Sequence, residues 1–228
     1  MMGPGLGHLM NAGIGTEIVY AFVIIICSLM IYFGTKELYE LTSHKGIKYF
    51  RQAFLFFALA YFFRSFIKFA IKYFNLRNIF ELAPKVFGPI TLFLFVYLSS
   101  IAIFYLLYSV IHKKIKNNKC TVPIIHLIAL VFASITLLSQ NPLMHLYLNL
   151  FLFFLAGTTV YFAKKNSNKK KSQNLYVIYL LLFIFWILNI LDILVPAFIE
   201  LFQIIIYLAS ISIFLTILYK VLRNLGIK

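Results

Sequence analysis

Arg64, Lys68 and Lys72 stand four residues apart in YFFRSFIKFAIKYFNLR (61–77), within a chain that is 63% hydrophobic. Residues four apart share one face of a helix, so the three form a cationic stripe. Ionisable groups inside a membrane are costly; they pair with opposite charges or line a ligand path. The chemistry this spacing supports is therefore the capture of an anionic or zwitterionic group. Arg51 marks the nearer membrane boundary. Arg64, thirteen residues on, lies roughly 20 Å into a hydrocarbon core of about 30 Å, with Lys68 near the far edge and Lys72 beyond it.

The chain holds six acids. Glu37 and Glu40 belong to a basic connection, and Glu81 to a second connection. Glu17, Asp192 and Glu200 fall at the same membrane end as Arg64, on segments distant in sequence, and are its candidate partners. Polar side chains gather at that end at helical spacing. Gln203, Tyr207 and Ser210 follow Glu200, Trp186 and Asn189 precede Asp192, and His145 lies four before Asn149. The candidate ligand-binding set is thus Arg64, Lys68, Asp192, Glu200, Gln203, Asn189, Glu17 and His145. Plainer roles compete with it. Lys72, Arg77 and Lys85 suit snorkelling to the headgroups, Glu17 and Glu200 suit helix N-termini, and polar stripes also join helices by hydrogen bonds.

Signatures of catalysis are missing. The sequence has no HExxH zinc motif, no G-x-S-x-G elbow and no P-loop. His8, His44, His112, His126 and His145 show no i, i+3 or i, i+4 pairing, so no metal site on one helix is expected. His112 and His126 are expected to meet across a hairpin. No catalytic residue, metal or cofactor is assigned, and the chain is not expected to be an enzyme.

Long uncharged runs must position these residues. Between Glu17 and Lys36 lie eighteen uncharged residues, between Lys85 and His112 twenty-six, between Lys171 and Asp192 twenty, and between Glu200 and Lys220 nineteen. A crossing helix needs roughly 20 apolar residues, so each run spans. The forty-four residues from Cys120 to Ala163 are too many for one crossing, and the Asn-Pro turn signal in SQNPLMH (139–145) divides them. With the helix carrying Arg64, the expected fold is an all-α polytopic bundle in a single domain, 1–228, with seven transmembrane helices over 15–35, 49–74, 86–112, 121–139, 143–163, 174–194 and 197–220. A barrel would show weak alternating segments of about ten residues instead. The first Lys or Arg is Lys36, after the first apolar run, so this run reads as a retained helix and not as a signal peptide. Small residues mark helix contacts in membranes; Ala53, Ala60 and Arg64 therefore predict an inward face, with Ala58 turned away.

The net charge of +15 is unevenly placed. Sixteen of the twenty-one Lys and Arg lie in KELYELTSHKGIKYFR, KKIKNNK, KKNSNKKK and KVLRNLGIK, on alternate connections and at the C-terminal end. The positive-inside rule places these in the cytoplasm, with the N-terminus outside and the C-terminus cytoplasmic. The basic loops predict contact with the lipid bilayer and with a cytoplasmic or membrane protein partner. No loop is long enough for a nucleic-acid reading module. Heavy use of Phe, Ile, Tyr, Lys and Asn suggests a prokaryotic plasma membrane. Three functions fit. The first is a sensor or receptor-like protein with an outward-facing polar pocket; eight residues follow Lys220, so its output would run through a separate protein. The second is a small transporter or permease for an anionic or zwitterionic solute, against which stand the missing internal repeat and broken helices. The third is a structural or accessory subunit that binds partner helices.

Overall fold

The computed structural model describes residues 5–73, 83–112, 120–139, 142–166, 170–194 and 200–225, with side chains over 15–65, 88–112, 120–139, 143–166, 175–194 and 201–223. Eight helices make up the described regular structure: α1 Gly5–Gly34, α2 Lys36–Thr42, α3 Lys45–Tyr73, α4 Ala83–Ile111, α5 Thr121–Ser139, α6 Pro142–Lys165, α7 Lys170–Leu194 and α8 Glu200–Leu225. Six of them, α1 and α4 to α8, are long and apolar enough to cross a membrane. The chain is an α-helical, multi-pass membrane protein. The seventh long helix, α3, is not among the six, because Lys45, Lys48, Arg51 and Arg64 interrupt its apolar run.

The spans expected at 49–74, 86–112, 121–139, 143–163 and 174–194 fall on α3 to α7 with ends within four residues. The first helix begins ten residues before the expected 15 and the last ends five after 220. Between the first two spans the chain forms α2, which Ser43 closes at φ 49° in the left-handed region while its N–H donates to the Tyr39 carbonyl at 2.7 Å. Arg51 then folds back on the end of α1. Its Nε donates to the Tyr32 carbonyl at 3.1 Å, and its guanidinium lies 4.8 Å from the Tyr32 ring centroid. A cation at a helix C-terminus also meets the favourable end of the dipole.

Helices α1, α3, α4, α6, α7 and α8 form a closed ring, each packed on the next and α8 on α1, while α5 packs outside against α4 and α6. Only a narrow strip of α5 is buried, at Ile125, Ala129, Ala133 and Thr136; Leu127 and Leu138 point outward. Small residues on that strip let the helices approach closely. The ring's interior is aromatic. Phe54, Phe57, Phe185 and Phe214 are almost fully buried, and Phe185 meets Phe214 edge-on with centroids 4.6 Å apart. Such pairs add roughly 0.5–1.5 kcal/mol beyond their buried area.

Ala53 and Ala60 are fully buried, as the inward face requires. Ala58 is buried too, which corrects its expected outward position: α3 is flanked by both α1 and α4, so more of its circumference is covered. Gly46 opens α3 where no side chain fits, since a Cβ there would lie 2.8 Å from the Ser109 carbonyl of α4. A second correction concerns the histidines. His112 stacks edge-on with His44 at 5.0 Å, while His126 is held by Tyr97 at Nδ1 (3.0 Å) and Tyr105 at Nε2 (2.9 Å).

Candidate functional site

Five helices build one polar cluster around Arg64. Its Nη2 donates to Asp192 Oδ2 of α7 at 3.2 Å, and its Nε lies 3.5 Å from Glu17 Oε1 of α1. The three side chains are only 20%, 11% and 15% exposed. Glu17 stands twelve residues inside α1 (Gly5–Gly34), so it is no N-terminal cap. Its position is that of a counter-ion.

Hydroxyl and amide groups hold the arginine's surroundings in place. Tyr61, one turn before Arg64, donates to Asn189 Oδ1 at 2.7 Å, and Asn189 Nδ2 donates to the Phe185 carbonyl at 3.0 Å. A phenol has one proton. Tyr61 spends it on Asn189, so the 3.1 Å contact with Tyr20 is a bond that Tyr20 donates. Tyr20 stacks in turn on Tyr207 of α8, with centroids 4.7 Å apart. Within α6, Asn149 Nδ2 donates to the His145 carbonyl at 2.8 Å, and Trp186 Nε1 donates to the Asn149 carbonyl at 3.2 Å. These bonds join α1, α3, α6 and α7 at one level.

Against this cluster lies a cavity of about 310 Å³ whose walls include Arg64, Phe95, His145, Asn149, Trp186 and Asn189. Its volume is at the lower end of the range for small-molecule sites. Glu17 and Asp192 are not among its described lining residues, whereas Arg64, which both engage, is. Arginine carries five N–H donors. The two carboxylates engage one on Nε and one on Nη2, which leaves donors for a guest. The guanidinium also lies over the Phe95 ring, 5.2 Å from its centroid, and its remaining donors suit the anionic end of a guest.

Of the residues singled out in the sequence, Arg64, Asp192, Glu17, Asn189 and His145 come together. Gln203 is half-buried one turn before Tyr207 and makes no hydrogen bond or ion pair among the described residues. The side chains of Lys68 and Glu200 lie outside the described residues. Tyr20, Tyr61 and Phe95 belong to the site and were not selected from the sequence. Two of them carry a signal: Tyr20 is three after Glu17 and Tyr61 three before Arg64, the same spacing as Trp186, Asn189 and Asp192. Phe95 carries none. Pro89 is the seventh residue of α4 and so costs that helix one internal hydrogen bond. Its neighbour Gly88 borders the cavity.

No family model and no solved structure matches the chain. Over 217 residues, 93% of each chain, it is 32% identical to a protein of Archaeoglobus fulgidus described as uncharacterized. The chain belongs to the same family as this archaeal protein.

Proposed function

We propose that the protein is a receptor-like membrane protein of seven transmembrane helices, α3 being the seventh, that binds a small anionic or zwitterionic solute in the Arg64 pocket. The N-terminus lies outside and the C-terminus in the cytoplasm of a prokaryotic plasma membrane, so the pocket faces outward. The uneven placement of Lys and Arg supports this orientation. One observation supports receptor over permease: aromatic side chains fill the bundle beyond the pocket. One turn further into the bundle from Tyr61, the ring is filled by Phe54, Phe57, Phe185 and Phe214. A bound solute would act by shifting α7, which carries Trp186, Asn189 and Asp192, and the output would pass to a separate protein at the basic loops. The role is binding and not catalysis.

Trp186, the chain's one tryptophan, makes the test direct, since it lines the pocket. The detergent-purified protein is titrated with L-amino acids as zwitterions, acetate as an anion and ethylamine as a cation, and Trp186 fluorescence is followed. A saturable change is expected with acetate or with at least one zwitterion, not with ethylamine, and lost in Arg64→Gln. No saturable change with any of them, or ethylamine acting as well as the others, would refute the proposal. A second reading, a permease, is favoured by a cavity of about 400 Å³ at the other end of the bundle. Uptake of the fluorescence-positive solute into proteoliposomes would decide for it.

A further inference from the structure

The Arg64 cavity is charged at one point of its described wall and apolar over most of the rest. Two helix faces form the apolar part. Gly88, Leu92 and Phe95 are spaced four and three apart on α4, and Trp186 and Ile193 lie seven apart on α7, so each set shares one face. The amide and indole groups beside them are committed within the protein. Asn189 accepts from Tyr61 at 2.7 Å and donates to the Phe185 carbonyl at 3.0 Å, while Trp186 donates its one N–H to the Asn149 carbonyl at 3.2 Å. Asn149 Nδ2 lies 2.8 Å from the His145 carbonyl and 3.3 Å from its ring Nε2. Arg64 is different. Of its five N–H donors, Glu17 and Asp192 engage one each, and the others have no acceptor among the described residues.

Size sets a second bound. An engineered cavity of about 150 Å³ lined by Leu, Ile and Phe takes benzene. The Arg64 cavity measures about 310 Å³, which leaves room for a charged group and a body of about six carbons. A second charge on that body would lose its hydration against Leu92, Trp186 and Ile193, at a cost that only a partner could offset. We infer that the guest is a monocarboxylate with an uncharged, apolar body of about four to six carbons, its carboxylate on Arg64 and its body along Leu92, Trp186 and Ile193. The inference rests on the reading of the Arg64 pocket as a binding site and adds the kind of molecule that this site selects.

Dissociation constants for acetate, butyrate and hexanoate, read from Trp186 fluorescence of the full-length protein in detergent at neutral pH, test it. Affinity should rise about fourfold for each added methylene, the value for burying a CH2 group, and so about sixteenfold from acetate to butyrate. Succinate, which carries a second carboxylate where butyrate has its methyl, should bind roughly tenfold more weakly than butyrate. Hexan-1-ol enters micelles but has no carboxylate, and it should give no saturable change. Gly88→Leu adds a side chain at a lining position where a Cβ meets no atom within 4 Å. It should weaken hexanoate roughly tenfold and leave acetate nearly unchanged. Equal affinity for the three monocarboxylates would overturn the inference and leave the pocket reading standing. So would succinate binding as tightly as butyrate, or hexanoate binding unchanged in Gly88→Leu. No saturable change with any of the three would overturn it too, and the response to amino acids would then decide the pocket reading separately. A response to hexan-1-ol equal to that of hexanoate would overturn both.

Discussion

Replacing Arg64 by Leu should destabilise the protein more than replacing either carboxylate, and neutralising a carboxylate as well should recover part of the loss. The magnitudes follow from the geometry. Arg64→Leu leaves Glu17 and Asp192, 15% and 11% exposed, facing each other with their shared cation removed. Breaking a buried pair from one side costs about 3–5 kcal/mol. Asp192→Asn is milder because Arg64 keeps Glu17 at 3.5 Å; one lost charged hydrogen bond costs about 1.5–3 kcal/mol. The double variant Arg64→Leu/Asp192→Asn leaves a single carboxylate with no like charge beside it. Its loss should fall short of the sum of the two by about 0.5–3 kcal/mol, the range for residues in one network. Neutralising Glu17 in addition should recover more. The assay is reversible unfolding in mixed micelles, read by circular dichroism, for the two single variants, the double and the triple. Strict additivity would refute the coupling and leave Arg64 as a side chain that snorkels to lipid headgroups.

Three further outcomes can be checked together. Ala60→Leu should lower stability by about 1–3 kcal/mol through overpacking, and Ala58→Leu should do the same, since both are buried; a thermal melt of each in detergent decides. Gly46→Ala should cost a similar amount, about 1–3 kcal/mol, because its Cβ would lie 2.8 Å from backbone and could be accommodated only if α3 and α4 part; a melting temperature equal to the native protein's would show that the contact relaxes freely. A reporter active only in the cytoplasm should work when fused after Lys228 and be silent after residue 140, and the reverse at both sites would invert the proposed orientation.

Much of the arrangement around Arg64 was legible in the sequence because the membrane imposes strong constraints. Apolar runs had to be helices, and a deep arginine had to find acids from segments far away. Glu17 and Asp192 met that requirement. Which of the three candidate acids would serve was not legible, since it depends on the order of helices around the ring, and spacing along one helix says nothing about that order. The same gap explains Ala58. Its burial comes from α3 having neighbours on two sides, a property of the assembled bundle. The pairing of His112 with His44 instead of His126 has a local cause: α2 and the left-handed Ser43 turn the chain so that His44 meets the end of α4. Residues 5–14, outside the expected first span of 15–35, continue α1 ahead of Glu17, whose carboxylate Arg64 compensates.

The outward-facing pocket itself is most directly tested by access to Gly88. This residue borders the cavity, and an added Cβ there has no atom within 4 Å, so a cysteine fits without strain. In a Cys120→Ser background the remaining Cys27 is buried. Intact cells bearing Gly88→Cys are treated with a membrane-impermeant maleimide. Labelling from outside, accompanied by a change in Trp186 fluorescence, is the result the proposal requires. Labelling only after the membrane is permeabilised would contradict it.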